Sequence, residues 1–384
     1  MAPVRNGVLI FKEVPTGYPE PGKTTVFDDS KTIDLDNVPL NGSVLVKTLM
    51  LSVDPYMRAR MREPGAKAYT TVVRDRLRIR WVNRQFLPSR ADSDSADGFE
   101  FDWCRLTGRS IGLVLRSEHE SFKPGDHITG PYARFEQYTI PENPSSYKKI
   151  VKEPGLDWPV YIGAAGMPGK SAYFAWKKYA DAKKGETVFV TGGAGPVGTM
   201  VIQLAKADGM KVIASAGTEE KVQECRDMGA DVVFNYKTTS TEEVLEKEGP
   251  LNVYWDNVGG SVLDAALAAT APHARIISCG MISEYNAPLE GTRLKLSVLT
   301  ESRYDQNLWA VFGRSLHIHG FVVYDLSTPE LEEEFYNLVP KKLASGEWKH
   351  REDITRGLEN AGQAILDVQK GTNFGKKVVI VADE

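Results

Sequence analysis

The chain has 384 residues, of which 42% are hydrophobic and 26% are charged, and its formal net charge is −4. This length is about twice that of an ordinary domain and the composition is typical of folded globular proteins, so we expect roughly two domains. The small negative charge gives no overall positive field, which argues against a general affinity for nucleic acid or for an anionic membrane.

The opening residues and the cysteines favour a cytoplasmic protein. The first residues, MAPVRNGVLIFKEVPTG, lack the apolar run of a secretory leader, and no stretch approaches the ~18 apolar residues of a membrane span. Cys104, Cys225 and Cys279 are far apart and odd in number, which suits a reducing compartment, and no pair has the spacing of zinc ligands.

The first part of the chain has the pattern of short β-strands. The stretches NGVLIFKEV and GSVLVKTLMLSVD alternate or run apolar between Pro and Gly breaks. The same pattern returns in GLVLRSEHESFKPGDHITGPYARFEQYTI, where KPGD predicts a turn between two strands.

Residues 72–106 interrupt this pattern. Their first half carries arginines at alternate positions (VVRDRLRIR) and their second half is acidic and rich in Ser and Gly. Alternating arginines could form a solvated strand face or bind phosphates, but the adjoining acidic run favours a surface loop over a nucleic-acid site.

From about Ala175 the pattern changes to α/β. The predicted strands are TVFVTG, KVIASA, DVVFNY, LNVYWDNVG, RIISCG and SLHIHGFVV, and the predicted helices are PVGTMVIQLAKADG, EEKVQECRDMG and SVLDAALAATAPHA. Alternation of buried-type strands with helices predicts a doubly wound parallel sheet covered by helices on both faces.

The last part of the chain predicts an acidic amphipathic helix, PELEEEFYNLVPKKLASGE, followed by a second helix, a Gly/Asn turn and a closing strand within ITRGLENAGQAILDVQKGTNFGKKVVIVADE. We therefore expect a β-rich domain at residues 1–155, with 72–106 as an atypical insertion, and an α/β domain at 156–322. Residues 323–384 would return to the first domain.

The stretch VTGGAGPVG predicts a dinucleotide-binding loop. It follows a strand, begins a helix, and holds Gly193, Gly195 and Gly198 in fingerprint spacing around Pro196 and Val197. The three glycines permit a tight turn, close approach of the backbone to a pyrophosphate, and close packing of helix on strand. The helix N-terminus would attract the phosphates.

The end of the second α/β strand indicates NADP(H) rather than NAD(H). Sites that prefer NAD place an Asp or Glu there to bind the ribose 2′-hydroxyl, whereas this strand ends in Ser215, Ala216 and Gly217. A 2′-phosphate would meet no carboxylate, and Lys221 follows one helical turn later as its partner. The alternative is that Lys221 is an ordinary solvated helix residue.

Several motifs together resemble a known family. LSVDPYMRARM, GMPGKSAYFA, VTGGAGPVG, FNYK, DNVGG, CGMISEYN and NFGKKVVIV are similar to motifs of the zinc-free medium-chain dehydrogenases/reductases. The branch they resemble most is the NADPH-dependent alkenal double-bond reductases, which include leukotriene B4 12-hydroxydehydrogenase/prostaglandin reductases. The resemblance implies a GroES-like β-rich domain, a Rossmann domain and a homodimer paired through the Rossmann sheets.

The resemblance also implies roles for individual residues. It assigns 2′-phosphate contacts to Gly217, Lys221 and Tyr236, and a catalytic and substrate-pocket role to Tyr285 as the acid or oxyanion-stabilising group. Tyr56 would line the substrate pocket, although packing is an equal alternative for it. The remaining implied cofactor contacts are Ser171, Asn257, Cys279, Gly280, Phe321, Val322 and Asn373.

The resemblance and the glycine loop predict reduction of the C=C bond of an α,β-unsaturated aldehyde or ketone by NADPH without zinc. Hydride would reach the β-carbon and Tyr285 would stabilise the enolate. Two alternatives stay open: a zinc-free quinone reductase, and a non-catalytic NADP(H)-binding protein inactivated by the 72–106 segment. In relatives the link at that segment is much shorter, so it is either an evolved loop or an error of the gene model.

Overall fold

The computed structural model describes residues 2–62, 106–287 and 307–384. Cys104 and the predicted insertion at 72–106, apart from Leu106, lie outside the described residues. Within these ranges the strands form two large sheets and two small two-stranded ones.

The large sheet of the β-rich region has seven strands, six of them in one continuous order and one beside it. Strand Val44–Ser52 is its centre and pairs antiparallel with Thr107–Ser117 and with the C-terminal strand Lys376–Ile380. Across the sheet the strands are Glu352–Arg356, Lys376–Ile380, Val44–Ser52, Thr107–Ser117, His127–Arg134 and Lys148–Lys149, with Tyr138–Thr139 also pairing with Val44–Ser52.

The small sheets and short helices lie at the start and end of this region. Val4–Arg5 pairs with Thr32–Ile33, and Val8–Phe11 pairs with Thr25–Asp28. The helices of this region are Met57–Arg60, Pro329–Ala344 and Ala361–Lys370, with single 3₁₀ turns at Pro144–Ser146, Trp158–Tyr161 and Leu358–Asn360.

The second large sheet is parallel and has six strands, which confirms the predicted doubly wound α/β fold. Their order across the sheet is Val232–Asn235, Lys211–Ala216, Thr187–Val190, Leu251–Asp256, Thr270–Ser278 and His317–Gly320. The chain reverses its direction of winding between Thr187–Val190 and Leu251–Asp256, and ligands of such sheets bind beyond the carboxyl ends of the strands at this point.

Helices cover the parallel sheet, and N-cap side chains or prolines mark where several of them begin. Thr218 and Ser240 accept hydrogen bonds from the backbone N–H three residues on, as N-cap residues do. Pro stands at the first turn of two further helices, where no N–H is needed. The helices are Met167–Ala175, Pro196–Ala207, Glu219–Asp227, Thr241–Glu248, Gly260–Ala268, Trp309–Gly313 and Val323–Leu326, and a π-helical turn spans Trp176–Ala180.

The structure corrects two sequence predictions. The predicted helix SVLDAALAATAPHA ends at Ala268, because Thr270 already pairs with Leu251 as the first residue of a strand. A register shift in this pairing accommodates the extra residues, among which His273 has φ +62°. In the tail, residues predicted as the start of a helix form strand Glu352–Arg356, parallel to Lys376–Ile380.

Candidate functional site

The glycine-rich loop joins strand Thr187–Val190 to helix Pro196–Ala207, and its backbone leaves no room for a side chain at Gly198. Gly193 donates its backbone N–H to the Ser215 carbonyl oxygen at 2.9 Å. A Cβ at Gly198 would lie 2.4 Å from the Gly192 carbonyl oxygen, so only glycine allows this close packing. Gly192 itself has φ +59°, a conformation that favours glycine.

The first turn of the following helix has the chemistry of a phosphate site. Gly195 is the N-cap residue and provides no side chain to occupy the helix end, while Pro196 and Val197 begin the helix. The first N–H groups of an α-helix have no partner within the helix, and the helix dipole favours an anion there. A glycine-rich loop before a helix start with unpaired N–H groups therefore fits the pyrophosphate of a dinucleotide.

Asn257 ties the glycine loop to the neighbouring strand at the point of reversal. Its backbone N–H donates to Thr191 Oγ1 at 2.9 Å and its Nδ2 donates to the Thr191 carbonyl oxygen at 2.6 Å. Its Oδ1 accepts from Trp255 Nε1 at 3.2 Å. All these bonds fix the loop rather than point outward, and a contact of Asn257 with a cofactor stays a prediction.

Gly217 and Tyr236 lie next to each other at the end of the crevice predicted for the adenosine, named here the adenosine end. Gly217 follows strand Lys211–Ala216, and a Cβ there would lie 2.8 Å from the Tyr236 hydroxyl oxygen. The backbone N–H of Tyr236 donates to the Ala216 carbonyl oxygen at 3.1 Å. The nearby carboxylate of Glu219 accepts a hydrogen bond from Asn235 Nδ2. Only the absence of a side chain at Gly217 lets the Tyr236 phenol approach the backbone this closely.

Lys221 lies at this end but already has a partner. Its Nζ donates to the carbonyl oxygen of Gly371 at 2.6 Å, in the loop before the C-terminal strand. Burial and then the positive charge of Lys237 lower the Lys221 pKa, while Asp353 opposes the shift. Two ammonium groups close enough to repel each other would be stabilised by a phosphate between them. Lys237 was not predicted, although it follows Tyr236 directly.

The carboxyl end of strand Thr270–Ser278 brings three predicted residues together. The backbone N–H groups of Cys279 and Gly280 donate to the Asp256 carbonyl oxygen at 2.8 and 3.1 Å. The Tyr285 hydroxyl accepts the Met281 N–H at 3.3 Å and would lie 3.2 Å from a Cβ at Gly280. The phenol of Tyr285 therefore lies over the backbone of Gly280.

The Cys279 thiol is not a nucleophile at neutral pH. Burial, helped by the negative charge of Asp256, raises the pKa of this thiol to about 12. A thiol protonated at neutral pH is unreactive, because the thiolate is the attacking species. Cys279 is consequently a small filler beside the predicted cofactor position.

The turn that carries Tyr285 is held by residues that the sequence did not single out. Arg58 Nε donates to Asn286 Oδ1 at 3.0 Å, and Arg62 donates to the Tyr285 carbonyl oxygen at 3.1 Å. Asn286 Nδ2 in turn donates to Gln369 Oε1 at 3.1 Å. Both arginines belong to the LSVDPYMRARMR stretch, whose repeated arginines were the only available signal.

A second part of the carboxyl edge of the parallel sheet holds Ser171, Phe321 and Val322. The Ser171 hydroxyl donates to the Met167 carbonyl oxygen at 2.9 Å within its own helix. The ring of Phe321 packs edge-on against Trp255, with ring centroids 6.1 Å apart. Val322 is the N-cap residue of helix Val323–Leu326. These residues are partly or fully buried, and their contact with a nicotinamide stays a prediction.

Asn373 lies in the loop that precedes the C-terminal strand. Its Nδ2 donates to the Gly375 carbonyl oxygen at 2.8 Å, a bond within the loop. Gly371 of the same loop accepts the hydrogen bond from Lys221, so this loop meets the predicted adenosine end. No hydrogen bond in the described part of the chain joins the Asn373 side chain to the glycine loop.

Tyr56 lies beside arginine rather than among apolar side chains alone. The Arg60 guanidinium carbon is 4.6 Å from the centre of the Tyr56 ring. Burial and then the negative charge of Asp54 raise the Tyr56 pKa above its ordinary value, and the positive charges of Arg60 and Arg109 oppose this. The phenol is therefore neutral and able to donate a hydrogen bond at physiological pH.

The described ranges contain neither a metal-binding cluster nor a helix suited to cross a membrane. Within the described ranges, no group of three or more His, Cys, Asp or Glu side chains is arranged to hold a metal ion. Among the helices of these ranges, none combines the length and the apolar character needed to cross a membrane.

Comparison with known proteins identifies relatives over nearly the whole chain. Residues 196–339 match the family model described as zinc-binding dehydrogenase. The NADP(+)-dependent 2-alkenal reductase of Nicotiana tabacum is 32% identical over 385 residues, covering 99% of each chain. The (+)-pulegone reductase of Mentha piperita is 34% identical over 348 residues, covering 90% of this chain and 89% of its own.

A solved structure is also similar to this chain over nearly its whole length. The crystal structure of CurA from Vibrio vulnificus in complex with NADPH has a TM-score of 0.77 and 28% identity, covering 98% of this chain and 100% of its own. The chain belongs to the zinc-free medium-chain dehydrogenases/reductases, a family of NADP-dependent oxidoreductases that includes reductases of C=C bonds.

Proposed function

We propose that this protein reduces the C=C bond of α,β-unsaturated aldehydes and ketones with NADPH. The observation that carries the proposal is the Tyr285 phenol, which lies over Gly280 at the carboxyl end of the parallel sheet. The relatives named 2-alkenal reductase and pulegone reductase support the same type of reaction.

The chain's own residues fit NADPH along the crevice. The backbone around Gly193, Gly195 and Gly198, with Pro196 and Val197, would hold the pyrophosphate at the helix start. Gly217, Tyr236 and Lys221 would hold the 2′-phosphate, with Lys237 adding positive charge. The nicotinamide end would be lined by Ser171, Asn257, Cys279, Gly280, Phe321 and Val322, and Asn373 would contribute from the C-terminal loop.

NADPH supplies a hydride, which would form a C–H bond at the β-carbon as the C=C electron pair moves toward the carbonyl oxygen. Tyr285 would donate a hydrogen bond to that oxygen, where negative charge develops as an enolate. A neutral phenol can do this at pH 7 because its ordinary pKa is ~10. The α-carbon then takes a proton from solvent, and Tyr285 can relay it.

The Tyr285 hydroxyl is well suited to this role because its turn is fixed from both sides. Arg58 and Arg62 hold the turn from the β-rich region, and Gln369 holds Asn286 from the last helix. A donor that is fixed before reaction costs no reorganisation when charge develops on the substrate.

We also propose that the protein is a homodimer paired through the edge of its parallel sheet. In the described part of the chain, no strand pairs with the outer side of His317–Gly320. Apolar side chains are exposed here, including Ile318 at 49% and Phe312 at 81%. Light scattering after gel filtration should give twice the monomer mass, and Ile318→Glu should shift it toward the monomer.

The reaction is tested by following NADPH absorbance with an enone, an enal or a quinone as the only acceptor. We expect oxidation of NADPH with the enone and enal, and mass spectrometry should identify the saturated carbonyl compound. Deuteride from labelled NADPH should appear at the β-carbon. Turnover of the quinone alone would make this a quinone reductase, and NADPH binding without turnover of any acceptor would make it a binding protein.

A further inference from the structure

Two arginines, Arg60 and Arg109, lie around Tyr56 and are named here the arginine pair. Arg60 covers the Tyr56 ring at 4.6 Å and donates from Nη1 to the Thr107 carbonyl oxygen at 3.0 Å. Arg109 donates from Nη2 to the Tyr324 hydroxyl at 3.2 Å, with its guanidinium carbon 5.4 Å from the centre of that ring. The charges of both arginines act on the Tyr56 phenol.

Arg109 has a donor that nothing in the described chain uses. Its Nε is buried and makes no hydrogen bond. A buried N–H on a charged group without a partner is costly, and native proteins keep few of them. An acceptor brought by a ligand would remove this cost.

The arginine pair also lacks a neutralising carboxylate. Across residues 2–62, 106–287 and 307–384, no Asp or Glu forms an ion pair with Arg60 or Arg109. The carboxylate of the neighbouring Glu332 pairs instead with Lys170, at 2.5 Å. Lys170 is itself close enough to Arg109 for the two charges to repel. The region therefore has excess positive charge.

This positive region lies at the substrate side of the proposed nicotinamide position. Tyr324 is two residues after Val322, and Lys170 is adjacent to Ser171 on helix Met167–Ala175. Tyr56 is the tyrosine predicted for the substrate pocket. A substrate with its C=C bond near Tyr285 could extend from there toward the arginine pair.

We propose that Arg109 binds a carboxylate at the far end of the enone or enal substrate, so that this enzyme prefers anionic substrates. The inference rests on the proposed function. The guanidinium presents its donors as a planar fork that matches a carboxylate with two parallel hydrogen bonds. Arg60 adds a second positive charge, and the rings of Tyr56 and Tyr324 form the adjoining walls.

The test compares enones that carry a terminal carboxylate with their methyl esters, in a series of chain lengths. We expect the wild type to have a higher kcat/KM for the acid at one length. Arg109→Gln should lower kcat/KM for that acid about 10- to 100-fold, mostly through KM, while the ester changes little. Arg109→Lys, which keeps the charge without the fork, should give an intermediate loss.

The matched control is Arg116→Gln, which removes a positive charge from the same strand, seven residues further along. Arg116 donates to the carbonyl oxygens of Leu35 and Val38 and has no contact with the arginine pair, so this variant should keep the acid preference. Thermal melting of both variants separates loss of fold from loss of binding. Equal losses for acid and ester in Arg109→Gln, or no acid preference in the wild type, would overturn the proposal.

A binding measurement separates this proposal from the proposed reaction. Calorimetry on the NADP⁺-loaded protein would use the saturated keto acid and its methyl ester. Binding of the acid that is lost in Arg109→Gln, without turnover of any enone, would retain the anion site and reject the reaction. Turnover of both enones with equal acid and ester binding would retain the reaction and reject the anion site.

Discussion

The guanidinium Nε of Arg58 donates a hydrogen bond to Oδ1 of Asn286, at 3.0 Å, across 228 positions of sequence. Arg58 is only 2% exposed, and its other donors reach the carbonyl oxygens of Pro15 and Met61. The turn that holds Tyr285 is therefore fixed to the N-terminal part of the chain through a buried arginine.

We expect Asn286→Ala to lower kcat by roughly 10-fold, because it removes one of the two acceptors of Arg58 Nε and the donor to Gln369 and so loosens the neighbouring Tyr285. The NADPH dissociation constant should stay within about two-fold, since the glycine loop is untouched. Asn37→Ala, which removes an exposed amide bonded to Asp34, is the control. Loss of NADPH affinity in parallel with kcat would instead indicate a general structural role.

We expect Tyr285→Phe to lower kcat by about 100-fold, because one hydrogen-bond donor to a developing oxyanion contributes on that scale. The ring is kept, so the NADPH dissociation constant measured by fluorescence titration should change little. Tyr18→Phe, at an exposed tyrosine, should have unchanged kinetics. An unaltered kcat in Tyr285→Phe would remove this residue from the mechanism.

The parallel sheet could be predicted from the sequence because the signals for its strands and helices are local. Apolar strand-length runs, the glycine spacing and the helix starts each depend on a few neighbouring residues. The strand at Thr270 was missed for the opposite reason. Its pairing with Leu251 depends on a register shift between distant segments, which no local pattern records.

The candidate site was predictable only in part, for the same physical reason. Gly217 and Tyr236 could be named from motifs, and the structure brings them together. Other contacts join residues far apart in sequence, namely those of Arg58, Arg62 and Arg109. The residues next to an arginine in a strand or helix do not indicate which distant group it will contact. The partner of Lys221, a backbone oxygen of Gly371, was equally invisible.

We expect Gly198→Ala to destabilise the protein by about 1–3 kcal/mol, because the new Cβ would lie 2.4 Å from the Gly192 oxygen and 2.8 Å from Gly193 Cα. Both obstructing atoms are backbone, so the loop must shift. NADPH affinity should therefore fall together with the melting temperature. Gly17→Ala, where no atom lies within 4 Å of the added Cβ, should leave both values unchanged.

We expect His350 to make part of the free energy of unfolding depend on pH, so that it falls as the pH rises. Its Nδ1 lies 2.8 Å from Glu352 Oε2, and this hydrogen bond raises the His350 pKa despite the opposing effect of burial. The stabilisation is complete below the ordinary histidine pKa of 6.5 and is lost as the pH rises through the raised value.

His350→Gln should consequently lower the free energy of unfolding more at pH 6 than at pH 8.5. The two losses, measured by denaturant unfolding, should differ by about 1 kcal/mol. His119→Gln is the control, since its ring contacts Ser121 and Ser145 instead of a carboxylate. A difference between wild type and His350→Gln that is the same at both pH values would contradict the role of the protonated ring.

We expect Lys221→Ala to weaken NADPH binding by about 10- to 100-fold, because a hydrogen bond to a phosphate contributes about 1.5–3 kcal/mol. NADH lacks the 2′-phosphate, so its affinity should hardly change. Lys237→Ala should give a smaller loss in the same direction, because Lys237 is exposed and acts mainly through its charge.

Lys247→Ala, at an exposed lysine of helix Thr241–Glu248, is the control for removing one charge. Added salt should weaken NADPH binding in the wild type more than in Lys221→Ala, since screening acts on the interaction that the variant has already lost. Equal losses for NADPH and NADH in Lys221→Ala would mean that the lysine supports the Gly371 loop and that other residues determine the choice of coenzyme.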